Sequence, residues 1–401
     1  MAGGSMKRLI LHRDFRLALA MVLLVGSGLA GVTCHLNRQV ARLEQALQAA
    51  DAERASLAQR VEAERSRALA DKQSLVNRID DSRQREEELR GRLAEAGGSE
   101  VRAVRDELYQ VRSRLVTLEG ERAVGERIIR EYGAGVCLIQ GAYAFYDAEG
   151  RPLRYRIDGS GEKVREADGS VAVGVEGDGP IHSVDAIGTG FLADRRGVVV
   201  TNRHVVEPWW KNETAEALAK DGYEPRLLTL RAFFPRIDQA LKLEVHRVSK
   251  DVDLALVKVE LGKRKIPTLP LDGSRRAAVA GQPVVVVGYP TGLEAILAKA
   301  EGDVVRQILN AQGVSNERVT EALSRRGLIR PSTTQGHIGD VTNTDIVFDA
   351  ATTQGGSGGP VFNKLGRVIA VEYATLPAFT GNSYGVPVRY VLELIGERPR
   401  S

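Results

Sequence analysis

From Gly133 to Ser401 the sequence is cut into short apolar runs, each closed by a turn: "GVCLIQGAYAFY", "GTGFLAD", "GVVVTN", "LTLRAFF", "LALVKVEL", "PVVVVGYP", "TDIVFDAA", "GPVFN" and "GRVIAVEY". This pattern restricts the fold more than any other feature of the chain. Val, Ile and aromatic residues suit a pleated, half-buried surface. Many such strands in succession close into a barrel or a sandwich, which removes their open edges. Two stretches break the rhythm, residues 211–221 (KNETAEALAKD) and about 293–329, and both read as helical insertions, the second long enough for a lobe of its own. Residues 147–180, with Asp158-Gly159, Asp168-Gly169 and Asp178-Gly179, read as exposed hairpin turns.

Upstream the texture changes. Apolar or small residues step by three and four through Leu36, Val40, Leu43, Leu47, Ala50, Leu57, Val61, Ala68 and Leu75, slip near Ile79, and resume at Leu89, Leu93 and Ala96. Gly97-Gly98 interrupts the series, and Val101, Val104, Leu108, Val111, Leu115 and Leu118 continue it, with no proline before Pro152. Residues 37–130 therefore read as a coiled coil, and hence as a seat of homo-oligomerisation. As one rod at 1.5 Å per residue the segment reaches about 140 Å. The competing readings are a single solvated helix and a helical hairpin folding back at Gly97-Gly98. Residues 1–36 carry Lys7, Arg8, Arg13 and Arg16, then an uncharged run from Leu17 to Leu36. Such a run is long enough to cross a bilayer as one helix, with its basic flank on the cytoplasmic side. This predicts a single-pass anchor in the inner or plasma membrane and an extracytoplasmic, periplasmic domain at 131–401. Gly28-Leu29-Ala30 offers the alternative of a cleaved signal peptide, which exports the domain equally.

A net charge of +4 on 401 residues, with no basic stripe interleaved with aromatics, gives no case for nucleic acid as a partner. Cys34 and Cys137 lack metal-ligand spacing, so neither a metal site nor a disulfide framework is expected, and Cys137 reads as a small apolar side chain in a strand. No cofactor motif is present. "GTG" at Gly188–Gly190 and "VVVVGYPTG" are too short or lack the lysine of a nucleotide loop, and read as strand ends and turns.

The stretch "TQGGSGGPVF", residues 353–362, sets one serine among four glycines ahead of an apolar run. A serine hydroxyl is a weak nucleophile without a base. The string also fits the nucleophile elbow, but that arrangement needs its histidine after the serine, and the last histidine of the chain is His337. A base must come from upstream. Besides His182, His12 lies on the cytoplasmic flank and His35 at the membrane boundary, His246 alternates within a strand pattern and reads as structural, and His337 in "TTQGHIGDV" is ambiguous. His204 in "GVVVTNRHVVEP" follows an apolar strand directly, where a side chain is presented to a cleft. An orienting carboxylate is available from "SKDVDLALVKVE": Asp253 abuts the buried run, whereas Asp251 stays in the turn. The glycines then supply an oxyanion hole: the Gly355 and Ser357 N–H groups as donors, Gly356 allowing the backbone conformation that turns them inward, and Gly358 and Gly359 leaving room.

On these residues the region resembles the trypsin-like serine proteases, and within them the HtrA/Deg branch. The matching stretches are "GTGFLAD…GVVVTNRHVV", "DVDLALVKV", "DAATTQGGSGGPVFNKLGRVIAV" and "YGVPVRYV", in the family's order. The resemblance implies a mainly β fold, a double six-stranded β-barrel with helical insertions and a cleft between the barrels. It implies endopeptidase activity on polypeptides, unfolded or damaged ones by family analogy, with a His204, Asp253, Ser357 triad and no cofactor or metal. It does not imply activation by a freed N-terminus, because Gly356 stands where digestive enzymes have an acid, and no PDZ domain is expected after "VRYVLELIGE". It places the primary specificity pocket around Ala351 and Thr352, with walls near Glu372, Tyr373 and Gly385. Ala351 offers no carboxylate to a basic side chain, so cleavage after small or medium apolar residues is expected unless Glu372 points inward. A second class of function is a catalytically silent coiled-coil scaffold whose protease-like domain binds peptides.

Overall fold

The computed structural model describes residues 59, 66, 73–74, 76–97, 100–166, 169–274, 276–309, 315–352, 355–375 and 382–396. The expected membrane segment Leu17–Leu36 and most heptads before residue 76 lie outside the described residues. Among the described residues, no helix is long and apolar enough to cross a membrane.

Two antiparallel closed barrels form the body. The first runs β1 (Val136–Tyr146), β4 (Ser183–Leu192), β5 (Val198–Thr201), β8 (Ala255–Val259), β7 (Leu241–Val248), β6 (Glu224–Phe233) and back to β1. The second runs β9 (Pro283–Gly288), β10 (Ser332–Val341), β11 (Ile346–Phe348), β14 (Ser383–Pro387), β13 (Val368–Thr375), β12 (Pro360–Asn363) and back to β9. The double six-stranded barrel expected from the sequence is therefore present. Each barrel is filled by the apolar runs that announced it: Ile139, Leu192, Val199, Val206, Phe234 and Val257 in the first, Val284, Ile338, Phe348, Val361 and Ile369 in the second. Cys137 packs fully buried in the first core, and that burial pushes its thiol pKa far up, leaving it an inert apolar group. β2 (Arg154–Tyr155) and β3 (Val173–Gly174), with bridges Ile157↔Lys163 and Arg165↔Val171, make the ladder of turns read from residues 147–180.

Both helical insertions form. α3 (Arg203–Val206) is one turn after β5, and α4 (Glu213–Lys220) is capped by Asn212, whose side chain accepts from the Ala215 N–H at 3.0 Å. The second insertion holds α5 (Leu293–Ala298), α6 (Gly302–Leu309) and α7 (Asn316–Arg325), the last capped by Ser315. It leaves the second barrel after β9 and reaches the first. Arg231 of β6 pairs with Glu317 and Glu321, Asn316 Nδ2 donates to Asp185 Oδ2 at 3.0 Å, and Ser324 Oγ donates to the Ile237 carbonyl at 2.9 Å. α8 (Val388–Ile395) closes the described chain and ends at Gly396 in a left-handed cap.

The heptad segment departs from the extended coiled coil over the described residues. Residues 76–95 form α1 and Glu100–Tyr132 form α2, and the two fold back on one another. Ile79 packs with Leu115 and Leu118, and Leu89 with Val104 and Leu108. Arg83 pairs with Glu119, Arg85 with Glu107, and Arg112 with Glu86, each at 2.7 Å. The reversal falls at the interruption of the heptads, where α1 has ended before Gly97 and α2 begins at Glu100. A periodic apolar stripe is satisfied equally by a second chain or by its own continuation, and here the described part is satisfied by the latter. The far end of α2 docks on the second barrel: Ile128 is fully buried, Arg127 Nη2 donates to the Lys364 carbonyl at 2.9 Å, and the Tyr132 ring stacks on Phe362 with centroids 5.8 Å apart.

Candidate active site

Each side chain singled out for chemistry stands where a barrel strand ends. β5 stops at Thr201, Asn202 precedes the single turn of α3, and His204 is the second residue of that turn. Asp253 sits two residues before β8, which pairs with β5. The strand pairing therefore carries both residues to one end of the first barrel. The His204 N–H donates to Asp253 Oδ1 at 3.0 Å, and His204 Nδ1 lies 2.6 Å from Asp253 Oδ2. Asn202 Nδ2 donates to the Asp253 carbonyl at 2.7 Å, which fixes the backbone under the carboxylate. The Asp253 side chain is 11% exposed and the His204 ring 36% exposed. The carboxylate is thus largely shielded and the ring is open to the cleft. With Nδ1–H held by Asp253, Nε2 is the free ring nitrogen, the one a base uses.

Ser357 comes from the second barrel, in the turn ahead of β12. Its Oγ contacts the Tyr373 carbonyl at 3.5 Å, the outer limit of a hydrogen bond, and no bond joins it to His204. The structure thus brings the histidine and aspartate into full contact and leaves the serine hydroxyl unattached to the base. Among the described residues, neither the Gly355 nor the Ser357 N–H has a backbone acceptor, as donors kept for an oxyanion require. The glycine held responsible for the backbone bend is a correction. Positive φ falls at Gly355 (96°) and Gly358 (90°), not at Gly356. A Cβ at Gly358 would also lie 2.0 Å from the Thr189 carbonyl oxygen, so any larger residue would force the loop off the first barrel.

Thr189 is the residue that reading the sequence missed. It lies fully buried on β4, inside the "GTG" read as a mere strand end. Its N–H donates to the Ser357 carbonyl at 2.8 Å, and its Oγ1 donates to the Gly355 carbonyl at 2.8 Å and accepts from the Tyr289 N–H at 3.1 Å. Thr201 Oγ1, at the end of the strand that leads to His204, donates to the Thr189 carbonyl at 2.7 Å. One side chain and its peptide therefore tie the serine loop of one barrel to the histidine strand of the other. Nothing in local sequence signals this, because Tyr289 lies 100 and Gly355 166 residues away.

The expected specificity residues cluster beside the serine. Gly358 N–H donates to the Glu372 carbonyl at 2.8 Å, and Glu372 N–H to the Gly359 carbonyl at 2.9 Å, so β13 runs alongside the serine loop. Gly385 of β14 pairs with Glu372 on the other edge. Ala351 is exposed and Thr352 half-buried. Tyr373 Oη donates to Asp345 Oδ1 at 2.7 Å, and burial together with that carboxylate pushes the phenol pKa up. Glu372 does turn inward: it is 2% exposed, and its Oε1 accepts from Thr352 Oγ1 at 2.7 Å. The other histidines stay apart from this constellation. His246 is exposed on β7, and His337 lies on β10, in a hollow shared with Tyr109 and Arg114 of α2. Among the described residues, no cluster of potential metal ligands occurs.

Two closed six-stranded barrels with a His–Asp pair on one and a glycine-framed serine on the other define the chymotrypsin-type class. Residues 188–371 match the family model described as the trypsin-like peptidase domain. It is 28% identical over 201 residues to the putative serine protease HhoA of Synechocystis sp., a match covering 50% of this chain and 40% of the relative. It is 26% identical over 212 residues to a probable periplasmic serine endoprotease, DegP-like, of Halomonas elongata, covering 52% of this chain and 34% of that protein. The magnetosome formation protease MamE of Paramagnetospirillum magneticum is 25% identical over 226 residues, covering 55% of this chain and 25% of MamE. The chain thus spans well under half of the length of each of these relatives.

Proposed function

We propose that the domain is a serine endopeptidase of the HtrA/Deg type. The observation that supports this reading is the His204–Asp253 pair, bonded twice, at the end of a strand whose Thr201 is bonded to the Thr189 carbonyl while the Thr189 N–H holds the Ser357 carbonyl. In the proposed reactive arrangement the Ser357 side chain turns from the Tyr373 carbonyl toward His204 Nε2. Catalytic hydrogen bonds are often loose before substrate binds. His204 then takes the proton as Ser357 Oγ attacks the peptide carbonyl, and the charge that forms on the carbonyl oxygen is met by the Gly355 and Ser357 N–H groups. Asp253 holds the ring with its free nitrogen outward and balances the imidazolium. His204 returns the proton to the leaving amine, and a water molecule, activated in the same way, releases the acyl group. No metal or organic cofactor has a part in this sequence.

The setting follows from the expectations for the N-terminus. Leu17–Leu36 anchors the chain in the inner membrane, the domain faces the periplasm, and the heptads before residue 76 are the seat of self-association. A DegP-like relative is named as periplasmic, which favours that side of the membrane. Unfolded or damaged polypeptides are the substrates. The test is fluorophosphonate labelling of the whole chain together with cleavage of casein. Both are expected in the wild type and neither in Ser357→Ala, and labelling that survives in the alanine variant overturns the assignment of the nucleophile.

A further inference from the structure

Tyr289 has no part in the catalytic steps above. It directly follows β9 and is 2% exposed. A phenol is costly at such a position unless its hydroxyl is bonded. Here Tyr289 Oη donates to the Val136 carbonyl at 3.2 Å. Burial, with Cys137 adding to it, pushes the phenol pKa well up, so the hydroxyl stays a donor. Val136 is the first residue of β1 and directly follows the Gly133–Gly135 turn in which α2 ends. The side chain of Tyr289 is therefore tied to the point where the helical hairpin enters the first barrel.

The backbone of the same residue faces the serine loop. Its N–H donates to Thr189 Oγ1 at 3.1 Å, and that oxygen donates in turn to the Gly355 carbonyl at 2.8 Å. Its carbonyl accepts from the Gly292 N–H at 2.9 Å, which closes a tight turn. That turn is pressed against Gly355: a Cβ built on Gly355 would lie 2.7 Å from the Tyr289 oxygen and 2.8 Å from the Gly292 nitrogen. Within the turn Thr291 holds a φ of 56°, which a β-branched residue adopts only where its surroundings compel it. The Gly355 peptide is thus backed by the Tyr289 turn and held at its carbonyl by Thr189. Its N–H, one of the two proposed oxyanion donors, has no backbone acceptor among the described residues.

We propose that Tyr289 is a positioning residue for the Gly355 donor, and that its hydroxyl makes the place of that donor depend on the docking of α2. One end of Tyr289 follows the start of β1, and the other end sets Gly355. α2 is seated on the second barrel by the buried Ile128 and by the Tyr132 ring on Phe362. A hairpin shifted on that seat displaces Val136, and Tyr289 then follows the carbonyl or gives up its bond. Either way the Gly355 N–H leaves the place where charge forms on the attacked carbonyl. Such a donor acts fully only when it is fixed in advance. The proposal rests on Ser357 being the nucleophile.

The test uses the full chain and expresses kcat on a peptide substrate per serine labelled by fluorophosphonate at the end point. Tyr289→Phe keeps the ring and deletes the hydroxyl. Its kcat is expected to fall at least about fivefold, less than for a donor removed outright, with KM within about twofold of the wild type. Ile128→Ala loosens the seat of α2 and is expected to lower kcat in the same way. The double variant is expected to lose no more than the larger of the two single losses, because both act through one bond. Where Ile128→Ala does not fold, Arg127→Ala, which removes the bond to the Lys364 carbonyl, takes its place in the cycle. A hydroxyl that serves stability alone lowers the melting temperature and leaves kcat per labelled serine unchanged, and that result overturns the proposal. Single losses that multiply in the double variant overturn it too. A labelled wild type with an unaffected Tyr289→Phe defeats this proposal and leaves the protease reading standing, whereas an unlabelled wild type defeats both.

Discussion

His204 is held to Asp253 by two hydrogen bonds, at 3.0 and 2.6 Å, whereas Ser357 Oγ touches only the Tyr373 carbonyl at 3.5 Å. The first barrel thus holds the proposed base firmly, and the second holds the proposed nucleophile by its backbone, with its hydroxyl in one marginal contact. The backbone is fixed because Thr189 takes hold of it from the other barrel, at both Gly355 and Ser357. The hydroxyl is loose because nothing but a marginal contact restrains its rotation. The difference shows where the fold invests its order. The backbone of the serine loop is tied down by several bonds, and its hydroxyl by none as firm.

The sharpest way to break this comparison is to delete one half at a time. Ser357→Ala is expected to lower turnover on the order of 10⁴–10⁶-fold and to abolish fluorophosphonate labelling. Asp253→Asn leaves the nucleophile in place but releases the ring, and a loss of about 10⁴-fold in kcat is expected, with labelling slow rather than absent. Equal and complete loss of labelling in both would show that the two halves do not act separately. A smaller effect is expected at the staple. Thr189→Val keeps the shape and removes the hydroxyl, leaving the Gly355 carbonyl and Tyr289 N–H unpartnered, and chemical denaturation is expected to show a loss of about 1–3 kcal/mol. If the staple also sets the serine loop, kcat falls while the His204–Asp253 pair, followed by the NMR signal of its shared proton, is unchanged.

Glu372 sharpens the comparison through pH. Its pKa is pushed up to about 8 in the folded protein from an ordinary 4.5. The folded state therefore keeps a proton that the unfolded state gives up between those values, so stability is full at low pH and declines as pH rises toward 8. Glu372→Gln lacks this decline. Thermal melts of the two are expected to diverge from about pH 4.5 upward and to run parallel above about pH 8. The smallest effect belongs to the hairpin surface. Glu86→Ala removes exposed pairings to Arg90 and Arg112 and is expected to leave the melting temperature nearly unchanged, any small loss fading in high salt.

The barrels were legible because their strands announce themselves locally: "GVVVTN" and "PVVVVGYP" are apolar runs between turns, and they became β5 and β9. The order of His204, Asp253 and Ser357 was legible too, since each borders such a run. The structure does bring His204 and Asp253 together, and it sets Ser357 in the adjoining barrel without a bond to them. Thr189 was not legible, because Tyr289, Gly355 and Ser357 come from loops far along the chain and its own neighbours are two glycines. The direction of the Glu372 side chain was not legible either, since strand alternation says which face a residue takes but not which hydroxyl it meets. For the heptads, a periodic stripe fixes that a helix needs a partner and not whose helix that partner is.

α2 passes into β1 through a single three-residue turn, Gly133–Gly135. At Gly135 a side chain would strike the Pro267 carbonyl oxygen at 2.2 Å, and just before the turn Tyr132 is stacked on the second barrel. The joint is therefore wedged rather than hinged. Whatever tugs or tilts the hairpin does not swing it on a tether; the load passes straight into β1, the strand bonded along its length to β4, where Thr189 grips the loop of the nucleophile.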